Sequence, residues 1–160
     1  ITLGVDPISG ISQYQQTSHK VLARGTELSL DKTWDWGARL RSSFGIQSAE
    51  QQGSSLQNSP QYLGKLNLSI PIPLMTGLRA GFELQYYGKR KTNDSTHTDS
   101  YFLSNLNLVT DVRWVKGLEA SLSFYNLFNE HYQHPAADTN WQNSLSQPGR
   151  TVRLRMDYRF

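Results

Sequence analysis

Arg150-Thr151-Val152-Arg153-Leu154-Arg155-Met156-Asp157-Tyr158-Arg159-Phe160 is the stretch that decides the fold. Val152, Leu154, Met156, Tyr158 and Phe160 occupy alternate positions, with Thr151, Arg153, Arg155, Asp157 and Arg159 between them. A helix would scatter the two sets around its circumference. A strand sends them to opposite faces. The same split recurs upstream. Leu78, Ala80, Phe82, Leu84 and Tyr86 oppose Arg79, Gly81, Glu83 and Gln85, and Leu118, Ala120, Leu122 and Phe124 oppose Glu119, Ser121 and Ser123. Tyr62, Leu66, Leu68 and Ile70 oppose Lys65, Asn67 and Ser69, and looser versions cover 20–31, 36–48 and 100–112.

Each run is about 10 residues, the length a tilted strand needs to cross a bilayer. Short connections at 32–35, 71–76 and 113–116 alternate with long polar ones at 5–19, 50–60, 90–99 and 129–148. Tight turns at one end and extended loops at the other are the pattern of an up-and-down membrane barrel. A soluble sandwich has no reason to gather its long loops at one end. The expected fold is therefore all-β: an antiparallel up-and-down transmembrane β-barrel of about 7 full strands, with Ile1 to Gly4 as the stub of another. Even-numbered residues are expected to face lipid and odd-numbered ones the lumen. Trp34, Trp36 and Trp114 by the short turns, and Tyr14, Tyr62, Tyr86, Tyr87 and Tyr101 toward the long loops, would form two interfacial aromatic belts.

Composition agrees. The 160 residues carry a net charge of +3, both signs being spread throughout, so no nucleic-acid partner is expected. There is no cysteine, and therefore no disulfide framework, thiolate zinc site or thiol nucleophile. No run approaches the roughly 20 apolar residues of a spanning helix. The low mean hydropathy suits a barrel, whose strands alternate apolar and polar residues.

Tyr125-Asn126-Leu127-Phe128-Asn129-Glu130-His131-Tyr132, then a polar loop, then Gly149-Arg150 and the terminal strand closing on Phe160, resemble the end of a TonB-dependent receptor. Ala23-Arg24-Gly25-Thr26-Glu27-Leu28 resembles a Gly-x-Glu strand motif of these barrels, and Val5-Asp6-Pro7-Ile8-Ser9-Gly10 a loop before it; Gln15-Gln16 departs from the usual asparagine. The resemblance implies that residues 1–160 are the carboxy-terminal portion of a larger barrel, about 22-stranded, whose plug domain is absent here. It further implies a Gram-negative outer-membrane location and TonB-driven uptake, through the plug, of a nutrient such as a ferric siderophore. Tyr158 and Phe160 would be the signal read by the barrel assembly machinery, and outer-membrane lipid would surround the strands. A small barrel acting as an adhesin or anchor is the alternative, and an outer-membrane hydrolase a more distant one.

Candidate ligand contacts are His131, Tyr132, His134 and Trp141 in the last long loop. His131 and His134, with Asp138 nearby, could ligate a metal only on a helix or tight turn, so polar loop residues are the default reading and no metal or other cofactor is expected. Glu27, Glu83 and Glu119 on the lumen face, with Arg39, Arg41, Arg79, Arg153 and Arg155, read as charges paired across strands. No Gly-x-Ser-x-Gly or phosphate loop is present, and no catalytic residue is assigned. Asn126 ends its strand and opens the longest loop, where its amide could satisfy backbone groups as the ladder stops.

Overall fold

A computed structural model describes residues 2–6, 8–15, 20–73, 77–111, 115–137 and 139–160. Among them there is no helix. Seven long strands are present: β3 (Val21–Thr33), β4 (Arg39–Gln51), β6 (Tyr62–Pro71), β7 (Leu78–Tyr87), β10 (Tyr101–Asp111), β11 (Leu118–Tyr125) and β14 (Thr151–Tyr158). The shorter ones are β1 (Thr2–Val5), β2 (Ser12–Gln15), β5 (Ser54–Ser55), β8 (Arg90–Lys91), β9 (His97–Thr98), β12 (Gln133–Pro135) and β13 (Ser144–Ser146). The long strands lie in the order β14-β11-β10-β7-β6-β4-β3, each antiparallel to its chain neighbour, and the sheet is open at β3 and β14.

Register settles the two faces. Thr26 pairs with Ile46, Leu40 with Leu68, Leu66 with Leu84, Leu106 with both Phe82 and Phe124, and Leu122 with Leu154. Every pairing joins even to even, so the even-numbered residues of all seven strands share one face. That face carries the apolar set, as the alternation leads one to expect, with Arg24, Lys32 and Glu50 as charged members near its two ends. Large apolar side chains on it lie open, Leu28 at 78 % and Leu154 at 63 %, and no second layer covers them. Open apolar rows of this kind are unlike the covered inner face of a water-soluble β-sandwich.

The short turns share one device. Gly37, Gly77 and Gly117 each precede a strand with φ near +90°, at 90°, 89° and 85°. That left-handed conformation is open to glycine and strained for other residues. A Cβ at Gly117 would also collide with the Arg159 carbonyl, whose amide bonds back to Gly117 at 2.9 Å. This turn therefore fixes the end of the last strand.

Three expectations need correction. The stub does not join the main sheet: β1 pairs with β2 in a separate hairpin, and the connections after β7 and β11 hold hairpins of their own, β8–β9 and β12–β13. Tyr87 and Tyr101 are not belt residues. They pair on the odd face, stacked at 5.2 Å, and Tyr101 is buried at 4 % exposure. The belt at the long-loop end consists of Tyr62 and Tyr86, while Trp34 and Trp36 lie 6.4 Å apart at a short turn. Trp114, Asp138 and the side chain of Tyr14 lie outside the described residues. Finally, the lumen glutamates do not form the expected ion pairs. Among the described residues the pairs are Asp31–Arg39 at 2.8 Å and Asp157–Arg155 at 2.7 Å.

Candidate functional site

The lumen face carries a line of hydrogen bonds that climbs toward the long loops. The Glu83 carboxylate accepts from Gln85 at 2.6 Å and from Asn105 at 2.8 Å. Gln85 in turn accepts from the Tyr87 hydroxyl at 3.1 Å, and the Asn105 side-chain oxygen accepts the amide of Asn126 at 2.9 Å. Both Glu83 oxygens thus serve as structural acceptors that link β7 to β10.

Asn126 closes the neck of the last loop, as its sequence position suggests. It is buried, at φ 51°, its amide donates to the carbonyls of Glu130 and Pro148 at 2.9 and 3.3 Å, and its oxygen accepts from the Glu130 amide at 2.8 Å. Asn129 completes the clamp by accepting the Arg150 amide at 2.9 Å. A Cβ on Gly149 would meet that same Asn129 oxygen at 2.5 Å, which accounts for glycine there. Asn126 and Asn129 thus fasten the two ends of the loop together.

Above the neck, a cluster forms around Arg90. Its guanidinium is buried, at 6 % exposure, beside the stacked rings of Tyr87 and Tyr101, 5.7 and 5.6 Å from their centroids. It donates to the Asn58 side-chain oxygen at 3.1 Å, the Tyr101 hydroxyl at 3.3 Å and the Gln133 carbonyl at 3.1 Å. One side chain therefore ties the 52–61 connection, β10 and β12 together. Among the described residues no carboxylate pairs with it. The Tyr101 hydroxyl, already accepting from Arg90, lies 3.1 Å from His134 Nε2, so its own proton is free for that nitrogen. Tyr132 adds a third ring, 4.6 Å from Tyr101.

Beside this cluster opens a pocket of about 370 Å³, lined by Asp99, Tyr101, Glu130, His131, Tyr132 and Gln147 among others. Of the four expected ligand residues, His131 and Tyr132 line this pocket, His134 braces its Tyr101 wall, and Trp141 stands apart, 91 % exposed. Among the described residues no group of histidines and carboxylates is arranged to hold a metal ion. Arg90 and Asn58 were not singled out from the sequence, and Tyr87 only as a belt aromatic. The run Tyr86-Tyr87-Gly88-Lys89-Arg90, aromatic then basic, was the available signal.

The family described as TonB dependent receptor-like, β-barrel, matches residues 1–127. The chain belongs to that family. No curated protein matches it significantly. Among solved structures it is similar to FpvA of P. aeruginosa bound to heterologous pyoverdines, at 17% identity and a TM-score of 0.70, covering 88% of this chain and 20% of that one. It is also similar to the ferric-catecholate import receptor Fiu of E. coli, at 21% identity and a TM-score of 0.73, covering 96% of this chain and 22% of that one. A complex of FpvAI with pyocin S2 matches at 16% identity and a TM-score of 0.71, covering 88% of this chain and 20% of that one. The chain thus spans about a fifth of the length of these receptors. At such identities the likeness establishes the fold, and the family match establishes a receptor-like barrel.

In this receptor barrel the cluster is sensitive to pH through His134. Burial lowers its pKa from the ordinary 6.5, and the nearby Arg90 charge lowers it further. The opened loop then binds a proton more readily than the closed one, so the cluster is fully stabilised above about pH 6.5 and loses stability as pH falls through that value. Proteolysis of the last loop is expected to quicken between pH 7.5 and 5.5, with the change abolished in His134→Gln. Equal pH sensitivity in that variant would remove His134 from the account.

Proposed function

We propose that this chain forms closing strands of an outer-membrane receptor that captures a scarce nutrient, such as a ferric siderophore, and takes it up with energy from the TonB system. The observation that carries this reading is the pocket beside the Arg90 cluster, at the end of the sheet where all the long connections gather. The rings of Tyr101 and Tyr132, 4.6 Å apart, give an aromatic wall that the buried Arg90 braces at Tyr101, and Asp99, Glu130, His131 and Gln147 supply polar contacts. A concave site of this size with a few convergent polar groups suits a compact polar chelate. His131 and Tyr132 are the proposed direct contacts, His134 a brace, and Trp141 an exposed aromatic at the loop tip. Two of the similar receptors take pyoverdine–iron and ferric catecholate, and this favours an iron chelate over other nutrients.

In the full-length receptor, further strands would pair with the open edges of β3 and β14, since unpaired backbone is prohibitive in hydrocarbon. A plug within the barrel would contact TonB. The test is growth of a deletion strain on single ferric chelates under iron limitation, complemented by the full-length gene or by its Tyr132→Ala form. Loss of growth on one chelate, restored by the wild type and less well by the variant, is expected. Unimpaired growth on every chelate and loss of surface adhesion instead would favour the anchor or adhesin reading.

Assembly supplies a separate prediction. Tyr158 and Phe160 lie on the apolar face at the end of β14, their rings 5.9 Å apart, and Phe160 is fully exposed. Deleting Phe160 from the full-length receptor is expected to lower the amount assembled in the outer membrane several-fold, because the assembly machinery would lose the aromatic end it reads. Unchanged surface levels and an unchanged heat-modifiable gel band would show the residue to be dispensable.

A further inference from the structure

We propose that the apolar face carries a specific lipid site in its loop-side half: a groove that seats one acyl chain, with Arg24 placed to hold the phosphate of the same outward-leaflet lipid. The site rests on the membrane reading above. Its basis is a gap in an otherwise bulky surface. One row across five strands reads Leu28–Phe44–Gly64–Tyr86–Phe102, with every step a register pair. The next row toward the short turns reads Leu30–Ser42–Leu66–Leu84–Ser104. Gly64 and Ser42 are diagonal neighbours and the small members that border the groove. Phe44 stacks with Tyr62 at 6.4 Å and Tyr86 leans on Phe102 at 4.8 Å, so ring pairs stand on both sides of Gly64.

The resulting groove has a volume of about 560 Å³, with walls from Leu28, Leu30, Phe44, Leu66, Leu84 and Phe102. Its chemistry is hydrocarbon almost throughout, and on a lipid-facing surface the occupant of matching chemistry is an acyl chain. Rigid aromatic walls would hold that chain longer than an even surface holds the surrounding lipid. Arg24 supplies the other half. It lies on the same face, paired in register with Ser48, four residues toward the long loops from Leu28, or roughly 13 Å along the strand. That is the offset between a lipid phosphate and the middle of its chain. Among the described residues no carboxylate pairs with Arg24, and the outward-facing Glu50 beyond it is held by the Ser48 hydroxyl at 3.0 Å. The groove side of Arg24 is therefore the side open to an anion.

The groove can be filled without disturbing the strand. A Cβ at Gly64 would lie 3.4 Å from Tyr86 Cβ and 3.5 Å from Phe44 Cδ2, which is ordinary contact. The experiment uses the full-length receptor in nanodiscs doped with chain-spin-labelled dioleoyl phosphatidic acid or, separately, spin-labelled dioleoylglycerol, which has the chains without the phosphate. Wild type is expected to show an immobilised component for both probes, held about tenfold more strongly for phosphatidic acid. Gly64→Leu and Ser42→Leu should each remove it for both. Arg24→Gln should lower retention of phosphatidic acid to that of dioleoylglycerol and leave the latter unchanged. Immobilisation unaltered in both groove-filling variants would overturn the proposal, and loss in them with no effect of Arg24→Gln would overturn its phosphate half. A heat-modifiable band and outer-membrane fractionation, measured alongside, separate failure of this site from failure of the membrane reading.

Discussion

Leu122→Arg in the full-length receptor is expected to lower the folding free energy in lipid by about 2–4 kcal/mol, the cost of a guanidinium near the bilayer midplane on a barrel exterior. Leu122 is suited to the test because register places it between Leu108 and Leu154, midway along β11 on the apolar face. An arginine there has headgroups out of easy reach in both directions, so snorkelling offsets little of the cost. Thr151→Arg is the counterpart, on the odd face and paired with Tyr125 at the loop end of the same two strands. Its guanidinium would meet lumen water, and the expected change is well below about 1 kcal/mol. Urea titration of the barrel folded reversibly into vesicles reads both. Equal losses would contradict the assignment of the two faces, and with it the membrane reading from which the lipid groove follows.

The faces were legible in the sequence because each strand reports them locally. A residue's side of a sheet depends on parity alone, so Leu154 between Arg153 and Arg155 states its orientation without knowledge of any neighbour. Asn126 was legible for a similar reason, since its bonds to Glu130 and Pro148 close a loop whose two ends the sequence already marks. The hairpins above the barrel were not. Arg90–Lys91 and His97–Thr98 are two residues each, too short to express a period. Nor could parity separate Tyr87 and Tyr101 from the belt, because an aromatic at a strand end suits lipid headgroups and a loop cluster equally. Their burial depends on Arg90, which meets Asn58 32 positions away and Gln133 43 positions away. Contacts of that range leave no local trace.

Arg90→Met is expected to loosen the long-loop cluster by about 2–4 kcal/mol while leaving the barrel strands as stable as before. Two effects oppose each other. Removing a buried guanidinium without a carboxylate partner relieves a desolvation cost, and its unbonded, buried Nε shows that this cost is incompletely offset. The substitution also breaks the bonds to the Asn58 oxygen and the Gln133 carbonyl, each worth about 0.5–1.5 kcal/mol because both residues are exposed and water can replace the donor. It removes in addition the cation held beside the Tyr87 and Tyr101 rings, an interaction of about 2 kcal/mol when shielded from water. Tyr101 loses least, since its hydroxyl keeps the bond to His134. The losses win because three separate chain segments were tied through one side chain, and each must be re-ordered without it. Hydrogen exchange of the full-length receptor reads the outcome. The amides of Asn58, Ala136 and Gln147, which bond to Lys91, Asn143 and Tyr132, are expected to lose protection about 30- to 1,000-fold. Amides of Leu108 and Leu122 in the sheet should not change. Arg90→Lys distinguishes charge from geometry, because an ammonium keeps the charge but lacks the planar fork that reaches three acceptors. Protection in Arg90→Lys close to that of Arg90→Met would place the effect in the fork. Wild-type protection in both variants would mean that the loops hold together without Arg90, and the brace assigned to the wall of the ligand pocket would lose its basis.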